Sequence, residues 1–373
     1  MPEYLARDRR TCQMLQSALR DGIYAVAKGQ RYGHDLALRG LHKSMMSNSL
    51  EIDILLATYN GERFLREQID SILGQDYEHL RVLARDDGSS DGTSEILKDY
   101  AARFPDRFEV LPSENASGSA KLNFLLLMKA ATADHICFCD QDDVWLPNKL
   151  SRTKEAMDRL KSDWGTNLPL LVFTDLQVVD DKLNQLHPSF WAYMGIDPER
   201  INHLNRLLVQ GVVTGCTAML NRRLLDLSLR MPEEASMHDR WIALIASTLG
   251  KHAIVKSPTI LYRQHDRNVL GTGATQRPRA LRQRLWRPDT QKYFEEWRTN
   301  QRQAAAFLRI HSAELPPRKR HLIAAFLQCG SSKNRFTRVA SFLRYGFYRA
   351  GILPNLLSIL NLWTKSLDEQ QAS

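Results

Sequence analysis

The sequence predicts an α/β fold with a mainly parallel central sheet and a helical C-terminal extension. Three observations support this fold class. Strand-like apolar runs alternate with amphipathic helical stretches from residue 52 onward, which is the chain order of parallel sheets covered by helices. Three of these strands end in polar clusters. From about residue 278 the pattern is helical and basic, and no further strand is predicted.

The first two strand–helix units show this alternation most clearly. Residues 52–58 are an almost continuous apolar run, which predicts a buried strand. Apolar side chains recur at helical spacing over residues 62–75, which predicts a helix. Residues 80–84 form the next strand-like run, and a second helix is predicted over residues 93–103.

Two further units repeat the pattern. A short strand over residues 108–111 precedes a helix over 120–131, and a third apolar run, 135–139, precedes a helix that opens near Pro147. Because ligands of such sheets bind beyond the carboxyl ends of the strands, we expect the polar strand ends to meet at one edge. These ends are Thr58-Tyr59-Asn60-Gly61, Asp86-Asp87-Gly88 and Asp140-Gln141-Asp142-Asp143.

The remaining pattern divides the chain into three regions. Residues 1–48 are weakly periodic and polar toward their end, and are interpreted as a poorly ordered N-terminal extension. Residues 49–275 form the predicted main domain, whose later part mixes strand-like runs with a helix around residues 241–249. Residues 276–373 form a basic, amphipathic helical region.

Composition narrows the class of protein. With 373 residues, of which 43% are hydrophobic and 25% charged, the chain can bury a sizeable core. No run approaches the roughly 20 apolar residues that cross a bilayer. The charged first residues lack the apolar core of a signal peptide, so export is not expected. The five scattered cysteines indicate reduced thiols in a cytosolic compartment.

The acidic cluster after residues 135–139 is the strongest chemical signal. Asp140 and Asp142 flank one residue at a strand end, and paired carboxylate oxygens suit a hard divalent cation such as Mg²⁺ or Mn²⁺. Spacing alone leaves a structural alternative open, in which the cluster is a turn and Asp143 caps the helix near Pro147.

Three ordered stretches, "ILLATYNGERFLREQIDSIL", "RDDGSSDGT" and "FCDQDDVWLPNKL", resemble glycosyltransferase family 2. The later stretches "TGCTAML", "MHDRW" and "YRQHDRNVLG" are also similar to that family, and in particular to its bacterial rhamnosyltransferase-like branch. The resemblance covers about residues 52–272. It implies a single Rossmann-like domain, and an inverting transferase that uses a nucleotide sugar.

The resemblance also implies roles for individual residues on the donor side. Tyr59 would stack on the nucleotide base, and Asp87 would accept the imide N–H that thymine and uracil share. Asp142 would hold the cation that bridges the diphosphate, and His265 falls where related enzymes return a ligand to the metal or diphosphate. The full implied set is Ala57, Tyr59, Asp86, Asp87, Lys121, Asn123 and Asp140 for the donor, and Asp142 and His265 for the metal.

An inverting transfer needs one general base, and a positioned carboxylate is suited to this role. By the resemblance Asp239 is the candidate, although an Asp at the start of an apolar helix is often only a cap. Gly215 would let backbone approach the acceptor sugar closely, or would form a plain turn. Trp241 is a candidate for stacking on the acceptor, with core packing as the default.

The resemblance therefore predicts transfer of L-rhamnose from dTDP-rhamnose to lipopolysaccharide or another surface glycan. A UDP-hexose donor is the alternative within the class, and a silent nucleotide-binding scaffold is the alternative outside it. Nucleic-acid binding is not expected, because no nucleic-acid module is present outside the C-terminal tail.

The whole excess of positive charge lies in the C-terminal region. Between residues 318 and 365 there are nine Lys or Arg and no acidic residue, whereas the rest of the chain balances at 42 basic and 42 acidic residues. Phe336, Phe342 and Phe347 recur at helical spacing among arginines. This pattern predicts a helix lying on an anionic membrane surface, and hence peripheral attachment to the cytoplasmic face of the inner membrane. Packing of these helices on the main domain is the alternative.

Overall fold

The structure is a computed structural model that describes residues 51–113, 115–201, 203–265 and 290–364. The predicted extension over residues 1–48 lies outside the described residues. The strands are β1 (Ile52–Thr58), β2 (Leu80–Asp86), β3 (Phe108–Val110), β4 (His135–Cys139), β5 (Val144–Trp145), β6 (Leu170–Val179), β7 (Gln185–His187), β8 (Met219–Asn221) and β9 (Lys251–Arg263).

Helices occupy the connections and the C-terminal part of the chain. Those of the main domain are α1 (Leu65–Leu73), α2 (Thr93–Arg103), α3 (Ala120–Ala130), α4 (Lys149–Trp164), α5 (Phe190–Tyr193), α6 (Pro198–Ile201), α7 (Leu204–Leu207), α8 (Arg222–Ser228) and α9 (His238–Leu249). The C-terminal helices are α10 (Thr290–His311), α11 (Pro317–Ser331), α12 (Arg335–Tyr345) and α13 (Ile352–Thr364).

The strands of the described residues form one sheet in the order β3-β2-β1-β4-β8-β6-β9-β5, with β7 paired to β6. Strand β1 pairs in parallel with β2 and β4, and β2 pairs in parallel with β3. Strand β8 is antiparallel to both β4 and β6, so β6 and its parallel neighbour β9 return to the direction of β4. The predicted α/β class with a mainly parallel sheet is confirmed.

Alternate side chains of β1 serve the two faces of the sheet, as the strand period of two requires. Ile54 and Leu56 enter a core with helices α1, α2 and α4. Leu55 enters a second core with α3 and α9 on the opposite face. The sheet is therefore covered on both faces, and its polar strand ends are left at an edge.

The C-terminal helices extend the core on the α9 face. Trp241 of α9 meets Phe307 of α10 with ring centroids 5.2 Å apart, and Trp297 of α10 meets Phe326 of α11 at 5.1 Å. Lys319 donates hydrogen bonds to the carbonyls of Ser247 and Thr248 near the end of α9. The predicted main domain and the predicted C-terminal region thus share one hydrophobic core.

Part of the predicted membrane face of the tail is internal. Phe342 and Phe347 are fully buried, and Phe342 lies against Trp297. The Arg338 guanidinium is also buried and donates to the carbonyl of Ser332. For these residues the packing alternative is correct, because aromatic rings of α10 and α11 provide the apolar surface that was assigned to lipid. Among the described helices, none is long and apolar enough to span a bilayer.

Candidate active site

The side chain of Gln141 links the ends of β1 and β4 by two hydrogen bonds. The Tyr59 N–H donates to Oε1 of Gln141 at 2.8 Å, and Nε2 of Gln141 donates back to the Tyr59 carbonyl at 2.9 Å. A Cβ on Gly61 would lie 2.3 Å from the same Gln141 Oε1, so glycine is required for this approach. Above this junction the Tyr59 side chain is 59% exposed, and its ring is accessible for stacking. Ala57, just before the strand end, is half-buried.

The end of β2 carries two carboxylates with different surroundings. Asp86 accepts hydrogen bonds from the Thr58 hydroxyl and the Ser89 N–H, both at 2.9 Å, and so joins β2 to β1. Asp87 is buried and accepts from the Gly118 N–H at 3.1 Å and from Arg85 Nη1 at 3.0 Å. Burial alone would raise the pKa of Asp87, but these donors outweigh burial and lower its pKa. Asp87 is therefore a stable carboxylate at the strand edge.

Two predicted donor residues on α3 act within the scaffold. The Lys121 ammonium donates to the carbonyls of Glu233 at 2.6 Å and Ala235 at 2.9 Å, on the segment that leads into α9. Asn123 is 2% exposed and exchanges hydrogen bonds with Arg85 at 2.8 and 3.1 Å. This position does not fit direct contact of Asn123 with a ligand, because its amide is occupied inside the core.

Each aspartate of the acidic cluster has a distinct partner. Oδ2 of Asp142 lies 2.9 Å from Nε2 of His265, which follows the end of β9. Oδ1 of Asp143 accepts the Arg263 N–H at 3.0 Å, and no described residue donates to its buried Oδ2. Helix α4 has Asn148 at its N-cap and no capping side chain. Asp143 is thus not a helix cap, since the cluster is held by β9.

Arg263 organises this cluster from the end of β9. Its guanidinium donates to the Asp142 carbonyl at 2.8 Å and pairs with Glu67 of α1. Its Cζ also lies 4.4 Å from the centre of the Phe64 ring. The sequence reasoning missed Arg263, although a basic residue two positions before His265 in "YRQH" was a usable signal. Only the pairing of β9 with β5 and β6 brings it to the acidic cluster.

Asp140 and Asp143 have raised pKa values because they are buried and close to other carboxylates. Burial, assisted by the charges of Asp142 and Asp239, raises the pKa of Asp140 to about 7. Burial and the charges of Asp142 and Asp140 raise the pKa of Asp143 well above its usual range. Burial also raises the pKa of the Cys216 thiol, which favours its protonated form as a hydrogen-bond donor to Asp140 and Asp143. Cys216 is a second site residue that the sequence reasoning missed.

The cluster fits a hard divalent cation. Candidate ligand atoms of Asp140, Asp143 and Cys216 lie within 4.8 Å of one another, and Asp143 has the orphaned oxygen described above. Neighbouring ligands of an octahedral Mg²⁺ with bonds of about 2.1 Å lie about 3 Å apart. Asp142 Oδ2 and His265 Nε2 lie beside this cluster at hydrogen-bond distance from each other, 2.9 Å. The carboxylate oxygens suit Mg²⁺ or Mn²⁺, whereas an imidazole and a protonated thiol are weaker matches to such hard cations.

Asp239 lies at the start of α9 without capping it. The N-cap is Met237, no side chain caps the helix, and Asp239 is the second helical residue. Its Oδ1 accepts the N–H of Arg240 at 2.6 Å. Burial raises the pKa of Asp239 to about 6, although the positive charge of Arg240 and the backbone N–H groups of Arg240 and Gly215 act in the opposite direction. The carboxylate is therefore available to accept a proton near neutral pH.

Gly215 and His238 form the wall behind Asp239. A Cβ on Gly215 would lie 2.7 Å from Nε2 of His238 and 3.8 Å from the Cβ of Asp239. The His238 ring is buried against Phe124 and Phe138, with centroids 4.2 and 4.7 Å away. Burial lowers the pKa of His238 to about 3, so its ring is neutral. Glycine at 215 is needed because a side chain there would displace this ring.

Trp241 is not on the acceptor side. Its indole is fully buried and packs against Phe307 and His311 of α10. The expectation that it stacks on an acceptor sugar does not fit this position. The helical period explains the difference: Trp241 lies two residues beyond Asp239 and faces the C-terminal helices instead.

The chain is similar in sequence to known glycosyltransferases. Residues 53–227 match the model of the family described as glycosyl transferase family 2. The chain is 28% identical over 227 residues to dTDP-rhamnosyl transferase RfbG of Shigella flexneri, which covers 58% of this chain and 73% of that protein. It is 33% identical over 134 residues to putative glycosyltransferase EpsE of Bacillus subtilis, covering 36% of this chain and 48% of that protein.

Among solved structures, the chain resembles TarS 1-349 of S. aureus in complex with UDP-GlcNAc, with a TM-score of 0.50 at 16% identity. The match covers 79% of this chain and 80% of that one. At 16% identity this similarity supports the fold class alone. That fold class agrees with the sheet order and helical layers described above.

Proposed function

From the glycosyl transferase family 2 domain that residues 53–227 form, we propose that the protein is an inverting, metal-dependent glycosyltransferase. Its donor is dTDP-L-rhamnose, and its acceptor is a lipid-linked saccharide of lipopolysaccharide or another surface glycan. The observation that carries the proposal is the convergence of Asp140, Asp142, His265 and Asp239 at the carboxyl edge of the sheet.

The proposed donor site has two parts, which lie at the ends of the linked strands β1 and β4. The exposed Tyr59 ring is suited to stack on a pyrimidine, and Asp87 is suited to accept its imide N–H. Asp142 and His265 would hold Mg²⁺ or Mn²⁺, which neutralises charge on the departing diphosphate when bound. Because Gln141 fixes the Tyr59 backbone, the base-binding and diphosphate-binding ends keep one spacing.

Asp239 is the proposed general base. Its carboxylate would take the proton of the acceptor hydroxyl as that oxygen attacks the anomeric carbon, and such a base typically contributes about 10²–10⁴-fold. A pKa of about 6 leaves the carboxylate mostly ionised at neutral pH and basic enough to accept the proton. The neutral His238 ring behind it adds no competing charge.

The choice of rhamnose has separate support. The relative named as a dTDP-rhamnosyl transferase aligns over 58% of this chain. A screen of purified protein against dTDP-rhamnose, UDP-glucose, UDP-galactose and GDP-mannose, with Mg²⁺ or Mn²⁺, tests it by released nucleoside diphosphate. Release from a UDP-hexose alone would refute the rhamnose assignment, and release from none of them, with any acceptor extract, would favour the silent scaffold.

Peripheral membrane attachment is the second part of the proposal, and α13 supports it. Four apolar side chains on one face of this helix are exposed, at 81% for Ile352, 57% for Leu356, 55% for Leu360 and 39% for Trp363. Arg335 lies beside this face, with its Cζ 4.6 Å from the Trp363 ring centre. An apolar stripe bordered by cations suits an anionic bilayer surface, where each basic residue contributes about 1 kcal/mol.

Flotation with phosphatidylglycerol vesicles tests this attachment. We expect the double variant Leu356→Ser/Leu360→Ser to lose flotation, because it removes the centre of the apolar stripe. The matched control is Leu122→Ser/Leu126→Ser on α3, whose leucines are 40% and 39% exposed and should not contribute. Binding of the parent should weaken in high salt. Equal flotation of the α13 variant and the parent would contradict the assignment.

A further inference from the structure

Two guanidinium nitrogens of Arg240, the residue after the proposed base, have no hydrogen-bond partner in the part of the chain that the structure describes. Its Nε and Nη2 are shielded from water, and no described residue accepts a hydrogen bond from either of them. Leaving such donors buried and unsatisfied destabilises a protein, and more so where the group is charged. The protein therefore keeps a desolvated cation directly beside Asp239, where its positive charge opposes the rise in the pKa of that carboxyl group.

A second arginine faces the same place from the C-terminal region. Arg349 lies in the loop between α12 and α13 and pairs with Glu296 of α10 at 2.7 Å. Burial, opposed by the charges of Asp239 and Glu296 and assisted by the positive charge of Arg349, lowers the pKa of Arg240. Glu296 is thus a carboxylate near both arginines, and a phosphate at this place would supply acceptors for the buried Nε and Nη2 of Arg240.

The loop that carries Arg349 is anchored to the wall of the active site. The Ala350 N–H donates to Oε1 of Gln210 at 2.7 Å, and the Arg349 N–H donates to Oδ1 of Asn355 at 2.8 Å. On the other side, a Cβ on Gly211 would rest 3.6 Å from Cγ of Arg240, so the backbone of residue 211 closely borders that side chain. Residues 210 and 211 therefore contact the Arg349 loop on one side and the Arg240 side chain on the other, which brings the two arginines to one region.

We propose that Arg240 and Arg349 form a phosphate subsite for the acceptor, binding the phosphate or diphosphate that joins the acceptor saccharide to its lipid. This inference rests on the proposed function and names the class of its acceptor. Phosphate oxygens match the planar fork of donors in a guanidinium, which is suited to bidentate contact.

The position of the two arginines explains why the anion belongs to the acceptor. The donor diphosphate is assigned to Asp142 and His265, whereas Arg240 adjoins Asp239, which receives the acceptor proton. Arg349 precedes the exposed Ile352 of α13 by three residues. A phosphate at this subsite would therefore have its sugar toward the base and its lipid toward the apolar stripe.

Calorimetric titration with geranyl pyrophosphate tests the subsite in metal-free buffer, where the proposed donor diphosphate site lacks its cation. We expect Arg240→Gln and Arg349→Gln each to weaken binding by about 10-fold or more, as expected for the loss of one charge-assisted contact. Arg240→Lys, which keeps the charge but not the fork, should give a smaller loss. The matched control is Arg159→Gln on α4, whose side chain is 68% exposed and should leave affinity unchanged.

Three further arms separate the sources of phosphate and guard against misfolding. Inorganic pyrophosphate should compete and geraniol should not; competition by geraniol alone would overturn the proposal. Flotation on phosphatidylglycerol vesicles should survive Arg240→Gln, and parallel loss of flotation would mean that the subsite reads bilayer headgroups instead. Geranyl pyrophosphate should raise the melting temperature of the parent and not of Arg240→Gln, provided both fold.

The outcome of the geranyl pyrophosphate titration does not depend on which donor sugar the protein uses. Failure to release nucleoside diphosphate from dTDP-rhamnose would refute the proposed function and leave the binding result standing. Unchanged affinity of Arg240→Gln for geranyl pyrophosphate would refute the subsite and leave the transferase standing.

Discussion

Gly215→Ala adds one methyl group at the most crowded backbone position of the active site. The new Cβ would lie 2.7 Å from Nε2 of His238, closer than carbon and nitrogen atoms approach. The His238 ring has no room to retreat, because it is 3% exposed and packed against Phe124 and Phe138. We therefore expect the substitution to push the start of α9, including Asp239, away from its native position.

Two opposing contributions determine how much Gly215→Ala changes the free energy of unfolding. Inserting a methyl group into a filled core costs typically about 1–3 kcal/mol. Replacing glycine by alanine also restricts the unfolded chain, which raises the free energy of unfolding by about 0.4–1 kcal/mol where the backbone conformation is allowed. The net expectation is a loss of about 1–2 kcal/mol in the free energy of unfolding. A base misplaced by a fraction of an ångström should also lower kcat by about 10-fold, given that 1 Å can cost about 10²-fold.

Urea unfolding and donor turnover measure the two effects, and the chain provides a matched control four residues earlier. A Cβ on Gly211 would lie 3.6 Å from Arg240 Cγ, which is ordinary contact, so Gly211→Ala should change neither quantity appreciably. The penalty of Gly215→Ala should also disappear in a His238→Ala background, because the clash partner is gone. Parental stability and turnover in Gly215→Ala, or an equal penalty in both backgrounds, would refute the reasoning.

The other predictions concern the base, the metal ligand and the buried tryptophan. Asp239→Asn should lower kcat by about 10²-fold or more with donor affinity nearly unchanged, and survival of turnover would assign the base elsewhere. Since Asp239 must be ionised to act and its pKa is raised to about 6, kcat/KM of the parent should fall about tenfold per pH unit below that value; a flat profile down to about pH 5 would contradict this. Asp142→Ala should abolish metal-dependent donor binding in calorimetry without unfolding the protein, whereas equal donor affinity would remove Asp142 from the metal site. Trp241→Phe should destabilise the fold by about 1–2 kcal/mol and leave the acceptor KM unchanged, because this indole is a core residue.

The parallel half of the sheet could be predicted from the sequence because its signals are local. Residues 52–58, 80–84 and 135–139 are apolar runs that end in polar clusters, and the structure aligns Thr58 with Asp86 in neighbouring strands. Strand β8 could not be predicted in this way. It has three residues, Met219–Asn221, and its antiparallel place between β4 and β6 depends on partners 47 to 86 residues away.

The site shows the same division between local and distant causes. The acidic cluster was evident in the sequence, but the partner of Asp143 is the Arg263 backbone 120 residues later, so a local helix cap was an equally good interpretation. Trp241 and Phe342 were misplaced for the same reason: their surroundings come from helices α10 to α13, which no local pattern could position. The residue types indicated the chemistry of the site, whereas tertiary contacts determine which side chains lie in it.

The shared core around α9 has a consequence for how such an enzyme can change its acceptor. Helix α9 carries Asp239 on one side and presents Trp241 to Phe307 on another, so the C-terminal helices are a wall of the catalytic unit and not an exchangeable module. A chimaera joined after β9 would combine α9 with foreign helices and leave Trp241 facing a mismatched surface. Productive recombination between relatives should therefore place its crossover before α9, so that the base, its aromatic partner and the arginines beside it are inherited together.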